Sequence, residues 1–225
     1  MGKTIAPPTL IKRFIASRLY VITCPPAGGT EGYEPMVTAA CEGGADVVQF
    51  RDKLLSGRER YAVALRLRHI CSARNVLFIV NDSLDLALAV GADGVHLGQE
   101  DLPLPAAREL IGRMTRREFL LGCSTHRLSQ ALEAERQGAD YIGIGPVFAT
   151  PTKPSVEPVG LQLVREVTAR IRIPQVAIGG ISAENIQQVL AVGARRVAVV
   201  RAVCGTMDIA AATTYLKSIL ENQKY

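Results

Sequence analysis

Short apolar runs alternate with longer amphipathic stretches along most of the chain. Eight runs of five or six residues are rich in Val, Ile and Leu, and they lie at 19–23, 46–50, 76–80, 93–97, 119–123, 140–145, 175–179 and 196–200. Such runs are typical of strands that helices cover on both faces. The stretches between them, such as 57–74 and 183–193, have helical spacing. This alternation predicts a parallel sheet, and eight units favour a single (β/α)8 TIM barrel over an open doubly wound α/β sheet.

A Gly-Ala-Asp triplet recurs along the chain. It occupies 44–46, 91–93 and 138–140, and Gly-Ala-Arg stands at 193–195. Each copy follows an amphipathic stretch and precedes an apolar run, and the copies are 47, 47 and 55 residues apart. Glycine after a helix adopts the left-handed conformation without a Cβ clash. The repeat therefore predicts helix ends at these glycines, with about two strand–helix units between one copy and the next.

The composition is that of an ordinary globular domain. The 225 residues are 48% hydrophobic and 21% charged, and no linker-like stretch divides them. We expect an N-terminal extension over 1–17, loose or helical, followed by one catalytic barrel over 18–225. No apolar run reaches the ~18 residues that a membrane span needs. The N-terminal sequence lacks the apolar stretch of a secretory signal, which favours a cytoplasmic protein.

Charge and cysteine content exclude several classes of partner. The net charge is +5, but the basic residues are spread over helical segments and few aromatics accompany them, unlike a nucleic-acid-binding surface. The five cysteines are scattered singly without CxxC spacing, which favours reduced thiols over a disulfide framework or a zinc site. We therefore expect small anionic molecules as partners, neither nucleic acid nor membrane, and a homo-oligomer remains open.

The predicted carboxyl end of strand two carries an alternating polar trio. Gln49, Arg51 and Lys53 would point the same way in an extended segment. Because adjacent Arg and Lys repel each other, an anion between them would explain their placement. The alternative is a solvated strand end in which the cations pair with Asp52 or Glu59.

Two carboxylates follow the next two strands. Asp82 and Asp101 lie one strand–helix unit apart, at the rim where barrels carry their chemistry. Carboxylates, waters and diphosphate oxygens together suit Mg²⁺. The alternative is that each aspartate only caps the helix that follows it.

The last three strands predict a second anion site. Gly179-Gly180 follows strand seven and Val200-Arg201 follows strand eight, the position at which many barrels bind phosphate with backbone N–H groups. A plain tight turn is the alternative. The long loop after strand six carries Thr150, Pro151, Thr152 and Lys153, and we interpret it as an active-site lid or as a mobile surface loop with an incidental lysine.

The remaining candidates do not form a nucleophile triad. We expect His69 to be a surface or packing residue, His96 to be a hydrogen-bonded interior residue, and His126 to lie near the rim without an identifiable partner. Ser124 lacks the strained G-x-S-x-G setting of a serine nucleophile.

The combination of motifs resembles the thiamine phosphate synthase family from about Arg18 to Leu220. The motifs are QFRDK at 49–53, VND at 80–82, GQEDLP at 98–103, GCSTH at 122–126, GIGPVFATPTKP at 143–154 and IGGI at 178–181. The resemblance implies an enzyme that joins a hydroxymethylpyrimidine diphosphate to a thiazole phosphate, giving thiamine phosphate and diphosphate. It also implies a dissociative mechanism, in which diphosphate leaves before the thiazole nitrogen attacks.

The resemblance assigns roles to particular residues. The pyrimidine diphosphate would be bound by Gln49, Phe50, Arg51, Asp52, Lys53, Asn81, Ser124 and Lys153, among which Arg51, Lys53, Ser124 and Lys153 would be catalytic. The thiazole phosphate would be bound by Thr150, Pro151, Thr152, Gly180, Val200 and Arg201. Asp82 and Asp101 would ligate one Mg²⁺ ion. The family usually carries serine where this chain has Arg201, which leaves open whether the arginine helps or crowds the phosphate.

Two other functions compete with the synthase. A thiazole tautomerase of the same barrel lineage resembles this chain but lacks the basic trio and the metal acids, and carries a histidine in the loop after strand six. A non-catalytic sensor of phosphorylated ligands would be expected to have lost Asp82, Asp101 or Lys153, and all three are present.

Overall fold

A computed structural model describes residues 8–151 and 156–223. Eight parallel strands close into a barrel in chain order, and each pairs with the next. The strands are β1 (Leu19–Ile22), β2 (Val47–Phe50), β3 (Leu77–Asn81), β4 (Gly94–Leu97), β5 (Leu120–Thr125), β6 (Tyr141–Ile144), β7 (Gln175–Ile178) and β8 (Val197–Val199). The predicted (β/α)8 barrel is confirmed.

Helices surround the barrel. They are α1 (Leu10–Ala16), α2 (Tyr33–Glu42), α3 (Gly57–Ala73), α4 (Leu84–Ala89), α5 (Leu104–Met114), α6 (Leu128–Arg136), α7 (Gly160–Arg170), α8 (Ile186–Ala191), α9 (Arg201–Cys204) and α10 (Ile209–Glu221), with a 3-10 turn at Gly29–Gly32. The longest, α3, begins with a capping box in which Ser56 and Glu59 bond each other's backbone N–H. No helix of the described residues is long and apolar enough to cross a membrane.

Alternation along the strands builds two apolar layers. Side chains such as Val48, Phe78 and Leu121 point outward and form one cluster with the helices. Their neighbours Val47 and Leu77 point inward and form a separate cluster inside the barrel. This period of two is the reason that the strands are apolar throughout. Toward the carboxyl ends of the strands the inward positions become polar, at Gln49, Asn81 and His96, and the hydroxyls of the inward-pointing Tyr20 and Tyr141 meet them.

The four repeat glycines each end a helix. Gly44, Gly91, Gly138 and Gly193 have φ between 67° and 100°, and the first three are followed by an alanine whose N–H bonds back to a carbonyl five residues earlier. That bond defines the Schellman motif, which needs a left-handed residue. The sequence prediction for the repeat is confirmed.

Helix α1 closes the amino-terminal end of the barrel. Phe14 is fully buried and lies in the inner cluster, with its ring 4.2 Å from that of Tyr141. Arg196 fastens the helix by donating hydrogen bonds to the carbonyls of Phe14 and Ile15. Residues 10–16 are therefore helical and packed, which rules out the loose alternative for this part of the extension.

Candidate functional site

A cavity of about 440 Å³ opens at the carboxyl ends of the strands. Every strand contributes a residue to its wall, directly or through the segment that follows, as expected of a barrel active site. The volume lies in the range usual for small-molecule pockets. The lining includes Gln49, Arg51, Asn81, Ser124, Thr150, Pro151, Gly180, Val200 and Arg201, nine of the residues that the sequence predicted.

A chain of hydrogen-bonding groups crosses the floor of this cavity. The Gln49 amide donates to the Tyr20 hydroxyl at 2.8 Å, and the Tyr20 and Tyr141 hydroxyls are 3.1 Å apart. The His96 ring then bridges Tyr141, 3.2 Å from Nδ1, and Ser124, 2.9 Å from Nε2. Adjacent glycines make space for this chain. A Cβ on Gly122 would lie 2.1 Å from the Tyr141 ring.

The two phenols of the floor stay protonated. Burial raises the pKa of Tyr20 and the pKa of Tyr141 well above their ordinary values. The two hydroxyls therefore offer donors and acceptors without charge at neutral pH. Such a surface can orient a neutral heteroaromatic ring, but it carries no strong base or nucleophile.

Arg51 brings a positive charge to one side of the cavity. Its backbone N–H donates to the Thr23 hydroxyl at 2.9 Å, which fixes the end of β2 against β1. Lys53 lies beyond the strand, with Nζ 3.6 Å from the Asp82 carboxylate and its side chain 63% exposed. Neither Asp52 nor Glu59 forms an ion pair with Lys53. The alternative in which one of these two carboxylates pairs with the cations of the strand end therefore does not apply to Lys53.

Asp82 and Asp101 lie close to each other at the carboxyl ends of β3 and β4, next to Asn81 of the cavity wall but outside the residues that line the cavity. Burial raises the pKa of Asp82, the neighbouring Asp101 carboxylate raises it further, and Lys53 and Arg51 partly offset both effects. Neither aspartate caps a helix, because the cap positions of α4 and α5 are Ser83 and Pro103. Asp101 instead accepts the Gly98 N–H at 2.6 Å. The capping alternative is therefore not supported.

The opposite side of the cavity is built from backbone. Gly179 and Gly180 have φ of 102° and 63°, which disfavours any other residue. A Cβ on Gly180 would lie 2.6 Å from the Ala149 carbonyl, so the glycine also allows the loop after β6 to pack closely. Arg201, the first residue of α9, adds an exposed positive charge to this side.

Five of the predicted residues that the structure describes are not among those lining the cavity: Lys53, Asp82 and Asp101 at the rim, and Phe50 and Asp52. Phe50 points outward, because it alternates with Gln49 and Arg51, and packs edge-on against Tyr33 at 5.4 Å. Asp52 is 9% exposed and accepts hydrogen bonds from the Tyr33 hydroxyl and from the N–H groups of Leu54 and Leu55. It shapes the loop after β2 through these bonds. Thr152 and Lys153 lie outside the described residues.

Among the lining residues that the sequence interpretation did not assign to the site, four carry aromatic or imidazole rings. They are Tyr20, His96, His126 and Tyr141. His96 was expected to be a hydrogen-bonded interior residue, which it is, but not a wall of the site. His126 contacts the Gly145 carbonyl through Nδ1. Their inward direction could have been found by extending the alternation of the apolar strands through their polar members.

The chain is similar to thiamine-phosphate synthases along almost its whole length. The family model for thiamine monophosphate synthase matches residues 19–203. The thiamine-phosphate synthase of Chloroflexus aurantiacus is 45% identical over 211 residues, which are 93% of this chain and 95% of that protein. The thiamine-phosphate synthase of Synechococcus sp. (strain WH7803) is 49% identical over 205 residues, 91% of this chain but only 57% of that protein. This chain thus spans little more than half of the Synechococcus relative.

A solved structure has the same fold and a related sequence. The thiamine phosphate pyrophosphorylase from Pyrococcus furiosus matches with a TM-score of 0.83 and 39% identity, covering 95% of this chain and 98% of that one. A 3-hexulose-6-phosphate synthase matches with a TM-score of 0.67 at 17% identity, which indicates the shared barrel alone.

Proposed function

The chain belongs to the thiamine monophosphate synthase family, and from this premise we propose that it joins 4-amino-2-methyl-5-(diphosphooxymethyl)pyrimidine to 4-methyl-5-(2-phosphooxyethyl)thiazole, giving thiamine phosphate and diphosphate. The observation that carries the proposal is the polarity of the cavity. Arg51, which follows β2, and Arg201, which follows β8, both line the cavity above the hydrogen-bonding floor, and β1 lies between their two strands. Two phosphorylated substrates whose uncharged rings must meet would fit this arrangement, with an anionic group at each arginine.

We assign the Arg51 side to the diphosphate. Arg51, Lys53 and Asn81 would contact its oxygens, and Lys153 would join them. Guanidinium and ammonium groups bind phosphate oxygens with charge-assisted hydrogen bonds. Ser124, held 2.9 Å from His96, would donate to the same substrate. These contacts would become stronger as negative charge develops on the departing diphosphate. Contacts that are stronger in the transition state than in the bound substrate lower the activation barrier.

Asp82 and Asp101 fit a magnesium ion. Two adjacent carboxylates, one with a raised pKa, are an unfavourable pair unless a cation lies between them. Among the described residues no third His, Cys, Asp or Glu completes a protein-only metal cluster. This suits Mg²⁺, which keeps waters and takes phosphate oxygens as further ligands. When bound there, the ion would supply positive charge to the diphosphate as it leaves.

The floor would select and orient the aminopyrimidine. Gln49, Tyr20 and His96 present donors and acceptors to a ring that carries both an amino group and ring nitrogens. In the proposed step the methylene C–O bond breaks, diphosphate departs with the electron pair, and the ring stabilises the methylene cation. The thiazole nitrogen then supplies its lone pair to form the C–N bond. No proton needs to move, which agrees with the uncharged hydroxyls of the floor.

The thiazole phosphate would be bound on the other side. Backbone N–H groups after Gly180 and Val200 would receive the phosphate, together with Thr150, Pro151 and Thr152 of the loop after β6. Arg201 would add a charge. Holding both substrates in register replaces an encounter in solution by a reaction within one complex. The predicted oligomeric state and location remain predictions.

The test is product formation from the two purified substrates with and without Mg²⁺. With the metal present, we expect mass spectrometry to detect thiamine phosphate and diphosphate in equal amounts. Removal of the metal with a chelator should abolish the formation of both products. Isomerisation of the thiazole without diphosphate release would favour a tautomerase, and binding of both ligands without turnover would favour a sensor. An ¹⁸O label in the bridging position of the pyrimidine diphosphate would test whether the C–O bond breaks first. If it does, the label should move to nonbridging positions even when no thiazole reacts.

A further inference from the structure

Closure of the barrel brings two cysteines together that are 180 residues apart in the chain. β1 pairs with β8 with Val21 opposite Val199. Cys24 follows β1, and Cys204 is the last residue of α9, which follows β8. The Cys24 sulfur lies 3.9 Å from the Cys204 carbonyl oxygen, and the Cys204 sulfur lies 3.5 Å from that of Ile22. Both thiols are partly exposed.

The two thiols differ in acidity. The pKa of Cys24 is lowered to about 7. The main cause is a hydrogen bond with the Cys204 thiol, the Arg201 guanidinium contributes a little, and burial acts in the opposite direction. The same hydrogen bond, together with burial, raises the pKa of Cys204. A thiolate next to a protonated thiol is the combination that reacts with oxidants, because the thiolate is the nucleophile.

The other cysteines provide an internal comparison. Cys41 on α2 and Cys71 on α3 also contact each other through their sulfurs, but they are only 8% and 0% exposed. Cys123 is buried beside Gln99, and burial raises its pKa to about 11. Among the five cysteines, all described, only Cys24 and Cys204 combine a thiol partner with access to solvent.

We propose that Cys24 and Cys204 form a reversible disulfide in the folded protein when a peroxide or a small-molecule disulfide reaches the rim, and that this bond weakens the phosphate side of the cavity. With hydrogen peroxide, the Cys24 thiolate attacks one oxygen and becomes a sulfenic acid as water leaves. Cys204 then attacks the Cys24 sulfur and displaces a second water. Two thiols lose two electrons and two protons in total, and the peroxide is reduced to two waters.

The link to the cavity runs through α9. This helix is one turn long, with Arg201 at its start and Cys204 at its end. A disulfide holds two sulfurs about 2.05 Å apart, nearer than two thiols in van der Waals or hydrogen-bond contact. Forming it would draw the end of α9 toward β1 and shift Val200 and Arg201 with it. This second half of the proposal rests on the thiazole phosphate site proposed above.

Formation of the bond can be tested without any turnover. The folded protein would be treated with hydrogen peroxide near stoichiometry, alkylated, digested and analysed by mass spectrometry. We expect a loss of two hydrogens, a peptide pair joined through Cys24 and Cys204, and recovery with dithiothreitol. Cys24→Ser and Cys204→Ser should abolish the link, whereas Cys41→Ser should leave it intact. A protein that keeps both thiols, or that links Cys41 to Cys71 first, would overturn the proposal.

The effect on the site needs a separate measurement. Oxidised wild-type protein should show a KM for the thiazole phosphate at least threefold higher, with the KM for the pyrimidine diphosphate unchanged, and dithiothreitol should restore the KM for the thiazole phosphate. Cys24→Ser treated in the same way should show no change. A mapped disulfide without a change in KM would overturn the coupling to α9. An enzyme that forms no thiamine phosphate even when reduced would contradict the proposed function, and the peptide mapping would still decide whether the disulfide forms.

Discussion

The two ends of the barrel use the same acidic side chain in opposite ways. At the amino-terminal end, the aspartates of the repeat are satisfied by the protein. Asp46 accepts the N–H groups of Arg18 and Leu19 and pairs with Lys217 at 2.6 Å. At the carboxyl end, Asp82 and Asp101 face each other, and Lys53 is 3.6 Å away from Asp82.

The other two aspartates of the repeat make the same kind of contact as Asp46. Asp93 accepts the Phe78 N–H at 2.8 Å, and Asp140 accepts the Leu121 N–H at 2.7 Å. Each aspartate that opens one strand therefore ties down the beginning of the strand before it. Arg68 and Arg108 pair with these two carboxylates. Charge at this end is balanced within the chain and stabilises the fold, whereas the rim carboxylates would be balanced by the proposed metal ion.

The largest effect is expected from removing one of the rim carboxylates. Asp101→Asn should lower kcat for thiamine phosphate formation about 10³-fold, comparable to the loss of a central transition-state contact, because the proposed Mg²⁺ site loses a charged ligand. The dissociation constant for thiazole phosphate, measured by calorimetry, should change less than twofold. Asp140→Asn at the opposite end is the matched control and should retain kcat. Equal losses in turnover and in thiazole phosphate binding would contradict the metal assignment.

The second effect concerns stability at the amino-terminal end. Asp46→Asn should lower the free energy of unfolding by about 2–3 kcal/mol, because the largely buried Lys217 keeps only its longer 3.6 Å pair with Glu221 and two backbone N–H groups keep a weaker acceptor. For a chain of this size that corresponds to a fall in Tm of roughly 4–10 °C. Thermal unfolding followed by circular dichroism would measure it. A loss of kcat at 25 °C in the folded variant would show that the two ends are not independent.

The same contrast explains how far the sequence could predict the molecule. The repeat glycines and the apolar strands predicted the barrel because each has a local physical cause: a left-handed helix end in one case and a period of two in the other. The rim residues Arg51, Asp82 and Gly180 could be predicted because a parallel barrel brings all strand ends to one face. Phe50 and Asp52 lie in the same QFRDK motif as Arg51 but point away from the cavity. The motif match therefore predicted substrate contacts that the direction of these two side chains does not allow.

Other features depend on contacts that no local pattern encodes. Phe14 enters the barrel from a helix that precedes the first strand, and its partner Tyr141 lies more than a hundred residues away. The five cysteines have no informative spacing, yet closure of β1 on β8 brings Cys24 to Cys204. His96 occupies an inward position of β4, and its place in the site depends on Ser124 and Tyr141, which contact its ring from the next two strands.

The third prediction addresses Arg201, which stands where the family usually has serine. Arg201→Ser should raise the KM for thiazole phosphate about five- to tenfold, as expected for one partly solvated charge-assisted contact to phosphate, with kcat changed less than twofold. Arg201→Lys should recover part of the difference, because lysine keeps the charge but not the planar fork. High salt should shrink the gap between the wild type and Arg201→Ser. A lower KM in the serine variant would mean that the arginine crowds the phosphate.

The smallest expected effect has the opposite sign to the others. Because the pKa of Asp82 is raised by burial and by Asp101, the ionised carboxylate destabilises the metal-free fold at neutral pH. Asp82→Asn should therefore raise the Tm of the metal-free protein by roughly 1–3 °C, which corresponds to under about 1 kcal/mol. The gain should be complete above the raised folded-state pKa, should shrink as the pH falls through that value, and should vanish below the lower pKa of the unfolded chain. Asparagine is the suitable replacement because residue 82 has a φ of 63°, which asparagine tolerates far better than alanine.

Magnesium then separates this charge effect from a general stabilisation. Added Mg²⁺ should raise the Tm of the wild type, by mass action on the folded state, and should leave the Tm of Asp82→Asn nearly unchanged. Asp82→Ala should lose the metal response as well, but its Tm should lie below that of Asp82→Asn because alanine is strained at positive φ. An asparagine variant less stable than the metal-free wild type would mean that Asp82 stabilises the empty fold, as the repeat aspartates do, and the contrast between the two ends of the barrel would fail.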